Sequence, residues 1–318
     1  MKHRDISEFT AKTFVILAAI IWGTMGTAQK FAPPGTSPLA VGAIRIIIGG
    51  LILLVISLFQ GLLKIPRNML LKPPVLMAAL GISVCQLVFF AAVAKTGVAV
   101  GTVVSIGSGP IMAGLLGYLF RGEKVGIRWG ISTTLAVLGC FFLVATKNNS
   151  TVDIFGIFLA LITGLGYATY AISSKILAQE NYPKEIISVV FCLSALFLSP
   201  VLFLTDLSWL VTIRGGAIAL YMGVITGGLA FVLFTRGLSR IPIATAVTLA
   251  MAEPLTASIL GIVVIKESLS FLGYCGLLLL FSGIIILSLA PANQTVLKKQ
   301  QAMPEIKEQS QNRPHSLS

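Results

Sequence analysis

Residues 242–267 read PIATAVTLAMAEPLTASILGIVVIKE. Between Pro242 and Ile265 there is one charge, Glu253, near the middle of the run and followed directly by Pro254. A helix needs about 20 apolar residues to cross a hydrocarbon slab ~30 Å thick. Lipid offers no water to satisfy polar groups, so a carboxylate beside a helix-breaking proline at that depth requires a reason.

Nine similar stretches fill the rest of the chain, at 13–31, 38–59, 74–94, 98–120, 127–146, 154–175, 187–205, 215–235 and 270–290. Over 318 residues, 56% are hydrophobic and 11% charged, against about 25% charge in a typical soluble domain. Lipid is the solvent this composition predicts. Ser37-Pro38 and Ile241-Pro242 put proline at a first helical position, where its missing N–H costs nothing, and Pro73-Pro74 opens the third span. Lys147 to Asp153 reads as a polar hinge between spans five and six. The first run is longer than a signal-peptide core and reads as an uncleaved span.

The net charge of +12 is a matter of topology. Of 23 Lys and Arg, 17 fall on the side that holds the N-terminus and 5 on the other, with Arg45 inside span two. The positive-inside rule then places both termini in the cytoplasm and the chain in the plasma (bacterial inner) membrane. Cations confined to short loops and tails do not form a nucleic-acid groove. Cys85, Cys140, Cys192 and Cys275 all lie in apolar runs without CxxC spacing, as small buried hydrophobes. His3 and His315 lie in the tails. Neither a metal site nor a cofactor is expected.

A shift of 144 residues superimposes Pro110 on Pro254, Glu123 on Glu267 and Gly139 on Gly283. A shift of 145 brings Trp22-Gly23 onto Tyr167-Ala168 and Lys30 onto Lys175. The expected fold is an all-α integral membrane protein, ten transmembrane helices as two inverted five-helix repeats at 12–146 and 154–291. A five-span unit is odd, so its second copy inserts upside down. Residues 292–318 read as a disordered cytoplasmic tail.

The chain resembles EamA-type members of the drug/metabolite transporter superfamily over about residues 12–291. The resemblance is carried by Ile21-Trp22-Gly23, Arg45, Pro110 with Arg121-Gly122-Glu123, and Glu253-Pro254 with Lys266-Glu267. Where the family usually has a small residue before Gly-Glu, the second copy has Ile265-Lys266-Glu267. The resemblance implies transport of small metabolites or drugs, often export.

Glu253 is the sharpest candidate for binding or coupling. A protonatable acid at the midplane can hold a cation or link proton and substrate movement, or it can bond backbone freed at Pro254. Pro110 and Pro254 each deprive a carbonyl, at Ile106 and Ala250, of its usual donor, and kinks in matching repeat positions point to a midplane site. Gly107-Ser108-Gly109 weakens the helix before Pro110. Arg45, about seven residues into span two, can snorkel to the outer surface, pair with Glu253 or meet a substrate carboxylate. Trp22 and Tyr167 occupy equivalent repeat positions and suit either stacking on a substrate or interhelical packing. Gln86 and Thr248 stand among the polar residues of a cavity expected between spans 1–4 and 6–9, with five and ten peripheral. Glu123 and Glu267, at span ends beside Lys124 and Lys266, read as solvated interfacial charges or caps.

No GxxxxGK[ST] loop serves an ATP-driven step, and no GxSxG, HExxH or His/carboxylate cluster supports an enzyme. The expected function is a secondary transporter of a small metabolite such as an amino acid or amine, working by alternating access in the lipid bilayer. A passive channel or lipid-handling protein is the alternative, and a homodimer is an arrangement the sequence allows.

Overall fold

The computed structural model describes residues 6–59, 67–144, 153–179, 186–266 and 268–289. Glu267, the hinge residues 147–152 and the tail after 289 lie outside them. The main helical elements are α1 (Glu8–Lys30), α2 (Pro38–Phe59), α3 (Pro73–Gly97), α4 (Val100–Arg121), α5 (Ile127–Val144), α6 (Ile154–Gln179), α7 (Ile186–Leu204), α8 (Ile213–Leu238), α9 (Ile243–Val263) and α10 (Phe271–Ser288). Among the described residues nine are long and apolar enough to cross a membrane; α5 is shorter, its apolar part running from Ile127 to Leu143.

Side-chain caps fix several helix starts. Ser7, Thr212 and Ser270 accept the amides of Thr10, Gly215 and Gly273 at 3.0–3.1 Å, satisfying donors that have no intrahelical partner. At the end of α4, Gly122 turns left-handed (φ 61°), Gly122 N–H bonds Tyr118 O and Glu123 N–H bonds Gly117 O. This left-handed glycine ending swings Glu123 back under the helix.

Small residues let the helix backbones touch, as packing in lipid requires. At the α5–α10 contact, Gly139 abuts Gly276 and Leu280 while Gly283 abuts Ser132 and Ala136. Each pair of positions differs by 144, so the two contacts exchange under the sequence repeat. The same holds elsewhere: the Ser83 hydroxyl donates to Ser194 O between α3 and α7, and Gly49 meets Gly227 between α2 and α8. Adding 144 to 83 gives 227, and adding 145 to 49 gives 194.

The start of the first described helix and the end of the last share one face. Lys12 Nζ reaches Ser288 O (3.4 Å), Gly237 packs on Ala11, Arg121 bonds Gln179 (2.6 Å) and Gln179 bonds Ser239 O (2.5 Å). The start of α1 and the ends of α4, α6, α8 and α10 therefore meet there, and we call it the N-terminal face.

The two prolines behave differently, contrary to the expectation of paired mid-helix kinks. Pro110 lies inside a helical run that continues to Arg121. In α9 the helix stops at Leu249 and restarts at Ala252, so Pro254 sits in a first turn, where proline is tolerated. Nor is the Ala250 carbonyl orphaned: it accepts Glu253 N–H at 3.0 Å. Further irregularities are a break at Thr24 in α1, Gly97 (φ 78°) between α3 and α4, and a π-helical stretch, Met222–Leu229, in α8. Such wide turns often mark functional sites.

Candidate substrate cavity

A cavity of about 610 Å³ occupies the half of the molecule away from the N-terminal face. Its floor lies near Tyr167 and Val247, and its walls run to Gln29, Pro38, Thr102, Leu143, Ile262 and Leu269, at helix ends of the opposite face. Helices α1–α4, α6, α8 and α9 line it. Contrary to expectation, α7 supplies no wall, and α5 adds Cys140 and Leu143.

The breaks in α1 and α9 carry the cavity's chemistry. Glu253 and Pro254 line it just past the α9 interruption, and Trp22, Gly23 and Met25 line it around the Thr24 break. Gly23 lets the two breaks meet, since a Cβ there would fall 2.7 Å from Glu253 O. The Glu253 side chain has no hydrogen bond or ion pair among the described residues.

Arg45 lines the same cavity and is 5% exposed. It does not snorkel. Its Nη1 lies 2.7 Å from Met25 Sδ, and its guanidinium sits 5.7 Å from the Phe231 ring centroid. Gly227 presses on the Arg45 backbone, and these inward contacts hold the side chain below the surface. Among the described residues Arg45 makes no ion pair, so the two opposite charges face one cavity without closing on each other.

Of the other sequence candidates, Gln86 and Tyr167 also line the cavity. Trp22 does so while donating Nε1–H to Thr226 O (3.0 Å) in the π-helical stretch, with Phe231 and Phe234 ring centroids at 4.8 and 5.4 Å. Its ring is therefore largely committed to packing. The hydroxyls of Tyr167 and Ser105, both cavity residues, are buried without a partner among the described residues. Ser108, Pro110 and Thr248 are not in the cavity wall. Ser108 donates to Ser105 O beneath Gly164, and Thr248 is engaged by Trp129 Nε1–H (3.1 Å) and Thr133 (3.0 Å). Met25, Phe89, Phe90 and Phe231 are wall residues that sequence reasoning missed. The one trace was the three-residue spacing of Phe231 and Phe234, and in an apolar helix that does not separate a cavity face from a lipid face.

Below the cavity, Glu123 is 5% exposed and not solvated. Its Oε1 meets Lys175 Nζ at 2.5 Å and its Oε2 accepts Ile243 N–H at 2.7 Å, capping α9. Lys175 is fully buried and also donates to Ile241 O at 2.7 Å. The cysteines are all free thiols, and no His/Cys/Asp/Glu cluster suited to a metal occurs among the described residues.

A multi-pass helical body around a charged, aromatic-floored cavity is the architecture of a membrane transporter. The EamA-like transporter family model matches residues 10–145 and 154–289, and the chain belongs to that family. It is 41% identical over 285 residues to YwfM of Bacillus subtilis, described as an uncharacterized transporter, covering 88% of this chain and 94% of the relative. It is 25% identical over 287 residues to the inner membrane transporter YicL of Salmonella typhimurium, also described as uncharacterized, covering 86% and 94%. A solved crystal structure superposes with a TM-score of 0.76 at 19% identity, over 89% of this chain and 99% of that one, a likeness of fold.

Proposed function

We propose that the chain is a secondary transporter of the plasma membrane that exports a small amphiphilic metabolite such as an amino acid or amine by alternating access. The observation that carries this is the separated pair: Arg45 and Glu253 line one cavity without an ion pair between them. A buried charge without a partner is costly. A solute with a carboxylate for Arg45 and an ammonium for Glu253 would offset that cost, and the unpartnered Tyr167 and Ser105 hydroxyls offer further hydrogen bonds. An amine alone would use Glu253.

Ten helices in two inverted halves, with both termini cytoplasmic, complete the reading. Contacts that exchange under the 144–145 shift support it, as does the meeting of the first and last helix ends on one face. The cavity then opens outward in this state, and alternating access brings the same residues to the cytoplasm. Glu253 also takes part in proton coupling.

The test is reconstitution in liposomes with a panel of radiolabelled amino acids and amines. The expected result is saturable flux with accelerated exchange against internal substrate. Flux that rises linearly and shows no counterflow would identify a passive pore. Glu253→Gln should fold and lose transport driven by a pH gradient; unchanged coupling removes Glu253 from the mechanism.

A further inference from the structure

We infer that Glu123, Lys175 and the Ile243 amide form the gate that closes the N-terminal face, and that the gate opens by separating and hydrating this ion pair. The inference rests on the alternating-access reading. Its starting point is a buried cluster that the cavity does not use. Lys175 lies eight residues, or about 12 Å along α6, beyond the cavity floor at Tyr167. Between the floor and the N-terminal face the helices are closed by two polar layers. The inner one is Lys175 Nζ on Glu123 and Ile241 O, with Ile243 N–H on Glu123. The outer one runs Arg121–Gln179–Ser239 O.

Each tie in these layers crosses between the two halves of the sequence or holds such a tie in place. Glu123 and Arg121 end α4 in the first half, while Lys175, Gln179, Ser239, Ile241 and Ile243 belong to the second. The ties thus bind the end of α4 to the start of α9, the segments that have to part for a cavity between them to reach this face.

The chemistry suits a reversible latch. A lysine near a helix end ordinarily snorkels to water; here it is turned inward with no exposed surface. In the closed state its ammonium has a carboxylate and a carbonyl, and the carboxylate has an ammonium and an amide. In the open state water takes over all four roles. Desolvation roughly cancels Coulomb attraction in a buried pair, so neither state is far below the other. An apolar seal would not release so readily.

The experiment uses the full chain with Cys140, Cys192 and Cys275 replaced by serine. Cys85, in the cavity wall, is then the single reporter. It is labelled with a membrane-impermeant maleimide in vesicles of each orientation. With the pair intact, labelling should come mainly from the face opposite the N-terminus. Glu123→Gln and Lys175→Met should each raise labelling from the N-terminal face by ~5-fold or more and lower it from the other. Ile243→Pro is the gentler variant. It removes the amide tie and the buried Ile243 side chain while leaving both charges in place, at a helix start that accepts proline after the extended Pro242 (φ −55°, ψ 145°), and should give ~2-fold opening. An unchanged labelling ratio in the variants that fold, with only thermal stability reduced, overturns the gate and leaves a structural staple. Transport by the unmodified chain is measured in parallel. Absence of substrate-dependent exchange there defeats the transporter mechanism itself, whereas exchange together with an unmoved ratio defeats the gate alone.

Discussion

Two of the molecule's acid–cation couples are arranged in opposite ways. Glu123 and Lys175 close on each other at 2.5 Å, with side chains 4% and 0% exposed and backbone groups filling the remaining bonds. Glu253 and Arg45 line a 610 Å³ cavity and stay apart, Arg45 resting on Met25 and Phe231 instead. The difference teaches that charge inside a membrane protein has two uses. Where partners are complete, removing one leaves an orphan, and the couple ties helices together in the closed state. Where they are incomplete, the proposed function gives the vacant partner position to a solute.

The largest effect that could break this contrast is on stability. Lys175→Met leaves Glu123 buried without its cation and should cost about 3–5 kcal/mol, the usual penalty for stripping one partner from a buried pair. Adding Glu123→Met should recover most of it. Thermal and denaturant unfolding in detergent would show both. Arg45→Met is the matching change in the other couple. It should cost less stability than Lys175→Met, because Arg45 makes no closed ion pair with Glu253 and its removal breaks no direct contact to a carboxylate, while abolishing recognition of carboxylate-bearing substrates. Equal losses at Lys175 and Arg45 would erase the distinction.

Much of this was legible in the sequence, for identifiable reasons. Apolar length fixes where helices run, and the expected spans agree with α1–α10 to within a few residues at most ends. Depth marks Glu253 as unusual, because a lone acid in the middle of an apolar run stands out. Partnership was not legible. Glu123 lies at a helix end beside Lys124, which reads as an interfacial charge, while its partner comes from 52 residues away on another helix. The reading of Glu123 as a cap survives, but for α9 rather than for its own helix. The snorkelling reading of Arg45 failed in the same way. Snorkelling is a property of one helix, and what holds Arg45 inward belongs to α1 and α8. Thr248 and Ser108 were marked by polarity alone, and polarity does not distinguish a hydroxyl facing a cavity from one facing Trp129 or the Ser105 carbonyl.

A smaller effect sharpens the closed couple. Gly122 is left-handed (φ 61°) in the turn that delivers Glu123, and a Cβ on Gly117 would sit 3.2 Å from Glu123 Oε2. Gly122→Ala should cost about 1–2 kcal/mol, the penalty of a left-handed L-residue. If Lys175→Met is already present, the same change should cost less, because the turn then positions a carboxylate with no ammonium to meet. A double-mutant cycle by thermal unfolding measures that coupling; strict additivity would mean the turn and the pair are independent.

The smallest expected effect comes from an acid outside the spans, which gives the contrast its solvated reference. Asp206, between α7 and α8, accepts Ser208 N–H at 2.8 Å and the Ser208 hydroxyl at 2.9 Å, and these bonds hold its carboxyl below the usual carboxylate range. A lowered folded-state value means that the ionised form is favoured by folding. Its contribution is present above the unfolded carboxylate range near pH 3.9 and fades as pH falls through the folded value. Water competes for the same bonds at this fully exposed site, so Asp206→Asn should leave the unfolding midpoint at pH 7 unchanged within error. It should remove only a shallow slope in the midpoint below pH 4. A loss at pH 7 comparable to that of Lys175→Met would show that completeness of partners, rather than burial, decides which carboxylates the fold depends on.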